Sequence, residues 1–464
     1  MRSMAKPFII FVERYYPDPF VFAIALTFVV YAMALVLTDA GPVEALAAWG
    51  GGLALLLEFI AQIAITLITA HALAHTDPAQ RVLRRVGQIP KTPAIAYGLV
   101  AFVGGIGSLF SWAFGLVAGA LVARQVAVEA RARGLRLHYP LLVASAYAGF
   151  VIWHMGYSSS AALFVATPGH ALEDQVGGTI PVTDTIFAPW NMITALVTLA
   201  VVVVLCASMR PKEGDEIIEL PEDGRAESPD GDGDGGGGGG GGTAVATKVA
   251  TAQEVTLAER LDGARWITLA LGGAIAAYLI WWFATEGLNL TLDVVNWSFL
   301  ALGLLLCRSP IHYVNLVADA STTVGQIIIQ YPLYAGIMGL MIDTGLVSVI
   351  ADWFTSISTA ATLGFWAFLS GGIVNFFIPS GGGQWAVQGP IFIEAANNLG
   401  TDPSRIVMGI AYGDQWSNMV QPFWTIPLLA IAGLHMRQIM GYTFVIFFAT
   451  FFLFGGGILL AGAG

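Results

Sequence analysis

The chain of 464 residues is 56% hydrophobic and only 11% charged, with a mean hydropathy of +0.73. A soluble globular protein carries about 25% charged residues, so a water-soluble fold is excluded and lipid is the solvent for most of this chain. Of the formal charge of −11, the segment from Arg210 to Asp262 holds −8, with 13 acidic against 5 basic residues; no basic patch is left to bind nucleic acid.

Apolar runs near the ~20 residues that cross a bilayer are met first at Phe20–Leu37 and again at Trp190–Ala207 and Gly441–Leu460. In chain order, spans are expected at Pro19–Thr38, Leu46–Ala74, Pro140–Ala166, Ile186–Ser208, Arg265–Ala284, Val294–Cys307, Tyr313–Ile342, Ile406–Leu434 and Gly441–Leu460. Met1–Tyr16 carries Arg2, Lys6, Glu13 and Arg14 and has no small-residue cleavage site, so it reads as a cytoplasmic interfacial segment and not as a signal peptide. With the N-terminus cytoplasmic, 19 of the 20 Lys and Arg fall on the cytoplasmic side and only Arg405 outside. That asymmetry is the positive-inside rule for a multi-pass protein of the cell membrane.

Thr92–Ala127 and Ala360–Asn398 are apolar but broken centrally by Gly, Ser or Pro, and each is barely long enough for two crossings. Both are read as re-entrant hairpins, since irregular backbone at membrane depth survives only in protein or beside a cavity. Between the halves, residues 210–264 contain an unbroken glycine run, Gly235–Gly242, and no Walker lysine, and are expected to form an acidic, disordered cytoplasmic linker. Cys206 and Cys307 have no metal-type spacing and no partner pattern for a disulfide framework.

The halves share a register. Gln62 aligns with Gln326, Gly107 with Gly371, Ser111 with Asn375, Trp112 with Phe376 and Gly119 with Gly383, and Ala146-Tyr147-Ala148 aligns with Ala411-Tyr412-Gly413 one residue further on. An odd number of crossings separates equivalent spans, so the copies are expected to be inverted. The fold class is therefore all-α and polytopic: repeats at 1–209 and 265–464, about nine spans and two re-entrant hairpins, near 92–127 and 360–398. Carriers of this plan bind substrate near the midplane, at interrupted helices in matching positions.

The second hairpin carries Ser380, Gly381, Gly382, Gly383, Gln384 and Trp385 after Asn375. Consecutive glycines free the backbone to turn, and the helix ends offer partial positive charge to an anion. The first hairpin contributes Ser108, Ser111 and Trp112. The span after it holds His154, Ser158, Ser159 and Ser160, and the equivalent later span holds Asp414, Asn418 and Gln421 before Pro422. Polar groups at membrane depth are costly and usually functional. Asn418 and Gln421, four and seven residues after Asp414, are expected on one helical face with it. Although Ser158 lies four residues from His154, no third orienting group or oxyanion motif makes this a hydrolase.

At Tyr16-Pro17-Asp18-Pro19, His71-Ala72-Leu73-Ala74, Ala166-Thr167-Pro168-Gly169, Pro379-Ser380-Gly381-Gly382-Gly383, Gln388-Gly389-Pro390 and Ala411-Tyr412-Gly413-Asp414-Gln415-Trp416 the chain resembles the short-chain fatty acid transporter family, of acetoacetate and butyrate type, within the ion-transporter superfamily. It departs from that pattern at Ser111, typically Asn, at Ala113, typically Gly, and at Asp414, often Glu. The resemblance implies uptake of short monocarboxylates driven by an ion gradient, with no cofactor beyond the coupling ion, Na⁺ or H⁺, and a homodimer as a candidate assembly. The expected substrate residues are Trp112, His154, Ser158, Ser159, Ser160 and the tip from Ser380 to Trp385, with Trp153 and Trp416 as further walls. Ser108, Ser111, Asn375, Asp414, Asn418 and Gln421 are the expected coupling-ion residues, and the site for Na⁺ if that is the ion. An exchanger or efflux carrier of another small organic anion, or a passive anion channel, is the alternative.

Overall fold

Hydrocarbon offers no hydrogen-bond partners, so a chain this apolar must pair its backbone internally, and helices do that within each segment. The computed structural model describes residues 19–169, 172–212, 214–220, 256–287, 291–321, 324–379 and 381–462, and among these it is all-helical with no strand. The first half runs α1 (Pro19–Leu37), α2 (Pro42–Gly52), α3 (Leu57–Ala74), α4 (Asp77–Gln88), α5 (Pro93–Phe110), α6 (Trp112–Ala132) and α7 (Tyr139–Gly149). A 3-10 segment (Phe150–Met155), α8 (Ser160–Ala166), the single turn α9 (Glu173–Val176) and α10 (Pro189–Ser208) complete it. After α11 (Leu257–Asp262) and α12 (Arg265–Thr285), the second half continues with α13 (Leu292–Leu306), α14 (Pro310–Ser321), α15 (Gly325–Asp343), α16 (Leu346–Ser356), α17 (Leu363–Asn375), α18 (Gly381–Leu399) and α19 (Pro403–Ser417). A 3-10 turn (Asn418–Val420), α20 (Thr425–Ala432) and α21 (Met436–Gly462) end the chain.

Proline in the first helical positions sets many of the starts, at α2, α5, α7, α10 and α19 among others, where its missing N–H costs nothing. Thr291 Oγ1 accepts from Val294 N at 3.2 Å and Asp402 Oδ1 from Ser404 N at 2.9 Å, capping α13 and α19. Gly433, at φ 67°, ends α20 in the left-handed conformation that a side chain would resist.

Among the described residues, six helices are long and apolar enough to cross a bilayer: α1, α5, α6, α10, α12 and α21. The bent pair α15 and α16, at 62°, makes a seventh if taken as one span. The difference from nine continuous spans lies in where the helices break. Leu46–Ala74 divides into α2 and α3, Tyr313–Ile342 into α14 and α15, and both Pro140–Ala166 and Ile406–Leu434 are interrupted at mid-length by 3-10 structure. In the first expected hairpin, α5 and α6 are each of spanning length and meet at Ser111.

The linker region is also more ordered at its ends than its composition suggests. Ile218 O accepts from Tyr139 N at 2.7 Å, Ile218 N donates to His138 Nδ1 at 3.1 Å, and Arg136 pairs with Glu219 at 2.9 Å. Residues 221–255, which include the glycine run, and the N-terminal segment up to 18 lie outside the described residues.

The halves are interleaved. α3 packs on α13 and α2 on α15. Asn296 Nδ2 donates to Gln62 O and Gln62 Nε2 to Asp293 Oδ1, both at 3.0 Å. At the polar margin Arg308 grips Asp77 through two bonds of 2.8 Å. Those bonds hold the Asp77 carboxyl below the usual carboxylate range.

The closest helix contacts rest on glycine. A Cβ on Gly104 would lie 2.5 Å from Ala146 O, and one on Gly149 would lie 2.5 Å from Ala101 O, so α5 and α7 touch backbone to backbone. The pairing of α17 with α19 is equivalent: a Cβ on Gly413 would lie 2.5 Å from Gly372 N, and one on Gly409 would lie 2.7 Å from Gly364 O. Lacking a hydrophobic driving force in lipid, helices associate through such close packing. Gly413→Ala and Gly149→Ala should each destabilise the folded protein by about 1–3 kcal/mol through overpacking, seen as a lower melting temperature of the purified protein in detergent. Gly273→Ala on α12, where a Cβ meets nothing within 4 Å, should leave the melt unchanged or raise it.

Candidate functional site

Four helix interruptions supply the polar groups of the interior. They are the α5–α6 junction, the α7–α8 segment, the α17–α18 junction and the α19–α20 segment.

At the centre, Asp414 Oδ2 lies 3.3 Å from His154 Nε2, with the side chains 1% and 0% exposed. The two atoms face each other without hydrogen-bond alignment, and neither has another partner. A buried carboxylate is strongly unfavourable unless paired, and the neighbours supply the rest. Asn418 Nδ2 donates to Asp414 Oδ1 at 3.2 Å. His154 is fixed at two points: its backbone N donates to Gln415 Oε1 at 2.9 Å, and Nδ1 lies 3.2 Å from Ser159 Oγ.

Asn375, at the end of α17, completes this cluster. Its Nδ2 lies 3.0 Å from Asp414 O, 2.8 Å from Ser417 Oγ and 2.6 Å from Asn418 Oδ1, while its own Oδ1 is buried without a partner. Tyr147 on α7 donates to Asn418 O at 2.6 Å, tying the first half to the 3-10 turn of the second. Two oxygens that lack partners, Asp414 Oδ2 and Asn375 Oδ1, therefore lie in one buried polar cluster. Oxygen donors of this kind suit a hard cation, and the imidazole beside the carboxylate suits a proton.

The imidazole also abuts the tip of the second hairpin. A Cβ on Gly381 would lie 2.7 Å from His154 Nε2 and 2.5 Å from Ser160 Oγ, so only glycine fits there. Gly381 opens α18, and Ser160 opens α8 with its hydroxyl buried and without a partner. The first N–H groups of a helix have no intrahelical acceptor, and with the helix dipole they attract anions.

A cavity of about 250 Å³ opens on this point. Ser160, Gly381 and Gly382 bring it polar groups, and Leu56, Trp112, Trp153, Pro379, Phe423 and Trp424 line it with mostly apolar surface. The rings support one another: Trp112 meets Trp424 edge-on at 4.8 Å, Phe423 meets Trp424 at 5.1 Å, and Phe150 stacks on Trp153 at 5.7 Å.

Of the expected substrate residues, Trp112, Ser160, Gly381 and Gly382 line this cavity, and Trp153 does so as an expected wall. His154 and Ser159 lie directly behind it. Ser158 instead donates to Ser108 O at 2.9 Å, holding the end of α5. Gln384 is buried in the hairpin interior, donating to Gly371 O and Gln388 Oε1 at 2.8 Å each. Trp385 is wholly buried, with Gly389 against its ring. Gly383 follows in the first turn of α18, and Ser380 lies outside the described residues. Trp416 stacks on Phe447 at 4.2 Å and donates to its carbonyl, away from the cavity lining.

Among the expected ion residues, Asp414, Asn418 and Asn375 come together. Ser108 donates to Gly104 O at 2.7 Å and Ser111 caps α6 by accepting from Phe114 N at 3.5 Å, both within the α5–α6 unit. Gln421 does not share the helical face of Asp414, because α19 ends at Ser417. Pro422 disfavours helical backbone at the residue before it, and Gln421 is extended at φ −100°, ψ 133°. Its Oε1 accepts from Phe423 N at 3.1 Å, which turns the chain toward the cavity wall. Phe423, Trp424 and Leu56 line the cavity and carry no polar signal that would mark them in so apolar a sequence.

Residues 1–460 match the family model described as short chain fatty acid transporter. A relative from Escherichia coli (strain K12), whose provisional name is short-chain fatty acid transporter, is 38% identical over 452 residues, covering 97% of both chains. One from Haemophilus influenzae with the same provisional name is 37% identical, covering 96% of this chain and 97% of its own. The solved YdaH transporter of Alcanivorax borkumensis is a loose structural likeness, with a TM-score of 0.46 and 12% identity over 96% of this chain and 98% of that one. The chain belongs to the short-chain fatty acid transporter family, whose members are multi-pass transport proteins and not enzymes.

Proposed function

We propose that the protein takes up short monocarboxylates, such as butyrate and acetoacetate, in symport with a cation, by alternating access between two inverted repeats. The observation that carries this reading is the position of the cavity. Its polar side is the start of α18 and the Ser160 hydroxyl, and that polar side rests directly on the buried His154–Asp414 pair. The carboxylate is held by the N–H groups at Gly381 and Gly382 with Ser160 Oγ, and the acyl chain lies among the aromatic rings. The cation, Na⁺ or H⁺, binds at Asp414 with Asn375 and Asn418, where it offsets the charge of the anion while the loaded site moves.

The recurrence of the elements supports the repeat. The break between α5 and α6 corresponds to that between α17 and α18. The order α7, 3-10 segment, α8 corresponds to α19, 3-10 turn, α20, and each series closes on a spanning helix, α10 or α21. The matched glycine crossings of α5 with α7 and of α17 with α19 point the same way.

Labelled butyrate uptake into proteoliposomes under an imposed Na⁺ or H⁺ gradient tests the proposal: one of the two gradients should drive accumulation above equilibrium, and no accumulation with either would remove symport. Asp414→Asn should abolish the stimulation by the gradient, whereas unchanged stimulation would remove Asp414 from the coupling. Gly381→Ala should lower uptake about tenfold or more, because the added methyl overpacks against His154 and Ser160. A folded Gly381→Ala protein with full uptake would place the substrate elsewhere.

A further inference from the structure

We infer that Leu56 closes the apolar end of the substrate cavity and sets the length of acyl chain the protein accepts. The inference rests on the placement of the carboxylate at Ser160 and Gly381 proposed above. Two observations carry it. First, apart from Pro379 at the hairpin tip, Leu56 is the one aliphatic side chain in the lining, set with Trp112, Trp153, Phe423 and Trp424. Those rings are braced against each other, with Trp153 to Trp424 at 6.0 Å and Tyr331 stacked on Phe423 at 4.1 Å, so they form a fixed wall. Leu56 is half-buried, packed against the same core as those rings, and takes part in none of the ring contacts that brace them.

Second, the backbone that presents Leu56 is anchored independently of the hairpins. Leu56 is the residue before α3, four positions after Gly52. Gly52 is pressed against α15: a Cβ on it would lie 2.7 Å from Ala335 O and 2.9 Å from Gly339 Cα. α3 in turn packs on α6 and α20, the helices that open at Trp112 and directly after Trp424, whereas α8 and α18, which bear the polar groups, pack on each other. Leu56 is therefore carried by elements other than the α8–α18 contact that bears the proposed carboxylate site, on a part of the molecule held by α15.

A chain that ends short of Leu56 leaves apolar surface uncovered, and one that is too long meets it. Each methylene that finds room should raise affinity about fourfold, the equivalent of ~0.8 kcal/mol of buried CH₂, and one that meets a closed wall should lose at least tenfold.

The test is competition by acetate, butyrate, hexanoate and octanoate against labelled butyrate, with wild-type protein, Leu56→Ala and Leu56→Phe in proteoliposomes. Leu56→Ala should raise the hexanoate-to-butyrate affinity ratio about tenfold, and Leu56→Phe should lower it and favour acetate. Leu56→Val, a smaller change, should shift the ratio in the direction of alanine and serves if either of the others does not fold. Variants that bind butyrate as wild type with an unaltered length profile would overturn the role of Leu56 and leave the proposed function standing. Failure of every monocarboxylate to compete in the wild-type protein would overturn both.

Discussion

A carboxylate and an imidazole, both withdrawn from water and 3.3 Å apart, are the constraint around which this interior is built. Burying an unpaired ion costs several kcal/mol even after relaxation, so the chain must bring enough polar groups to Asp414 and His154 to make the site tolerable. They come from three of the interruptions, the α7–α8 segment, the end of α17 and the α19–α20 segment. Asn418 and Asn375 serve Asp414, Gln415 and Ser159 serve His154, and Tyr147 fixes the carbonyl of Asn418. Because those donors and acceptors lie on α7, at the start of α8, on α17, on α19 and in the 3-10 turn after it, satisfying the pair also fixes how the halves meet. The polar atoms left over, Asp414 Oδ2, His154 Nε2, Asn375 Oδ1 and Ser160 Oγ, lie on the sides where a cation and an anion are proposed to bind.

That convergence depends on how closely the backbones approach. At Gly149 and Gly413 the chain passes against α5 and α17 with no room for a methyl group; Gly149 is the last residue before 3-10 structure, and Gly413 lies about one turn before it. The close crossing draws the end of each helix inward. Past it the backbone ceases to be α-helical, and the freed groups become available for side chains and ligands. Pro422 has a similar effect one turn later, forcing Gln421 into an extended conformation and swinging Phe423 and Trp424 to the cavity wall.

Much of this was legible in the sequence, for reasons that also mark where reading had to stop. Long apolar runs identify α1, α10, α12 and α21 to within five residues at either end, because length and charge alone decide whether a segment crosses lipid. Polar residues stranded in such runs identify Asp414, Asn418, Asn375, His154 and Ser160, since an uncompensated polar group there is costly. The contact from Asn418 to Asp414 follows from helical spacing, and the expectation for Gln421 fails because spacing has no meaning beyond a helix end. Ser108 and Ser158 illustrate another limit: both are polar and at membrane depth, yet each satisfies a backbone carbonyl, a use that composition cannot distinguish from ligand binding. Leu56, Phe423 and Trp424 were invisible for the opposite reason, because an apolar side chain lining a cavity resembles one facing lipid.

The short separation of the two proposed sites would give the proposed coupling its physical basis. A Cβ position on Gly381 lies 2.7 Å from His154 Nε2, which lies 3.3 Å from Asp414 Oδ2, so the tip of α18 and the carboxylate are at most about 6 Å apart. At an effective dielectric of ~20, like charges at that distance repel by on the order of 2–3 kcal/mol. A cation on Asp414 removes that repulsion, which by linkage means that the bound anion tightens the cation by the same factor. Such a factor, of order 30- to 100-fold, lies within the range of coupling free energies found between paired sites. It requires no long-range conformational relay, because the proposed anion site and the carboxylate proposed to hold the cation both border one atom, His154 Nε2.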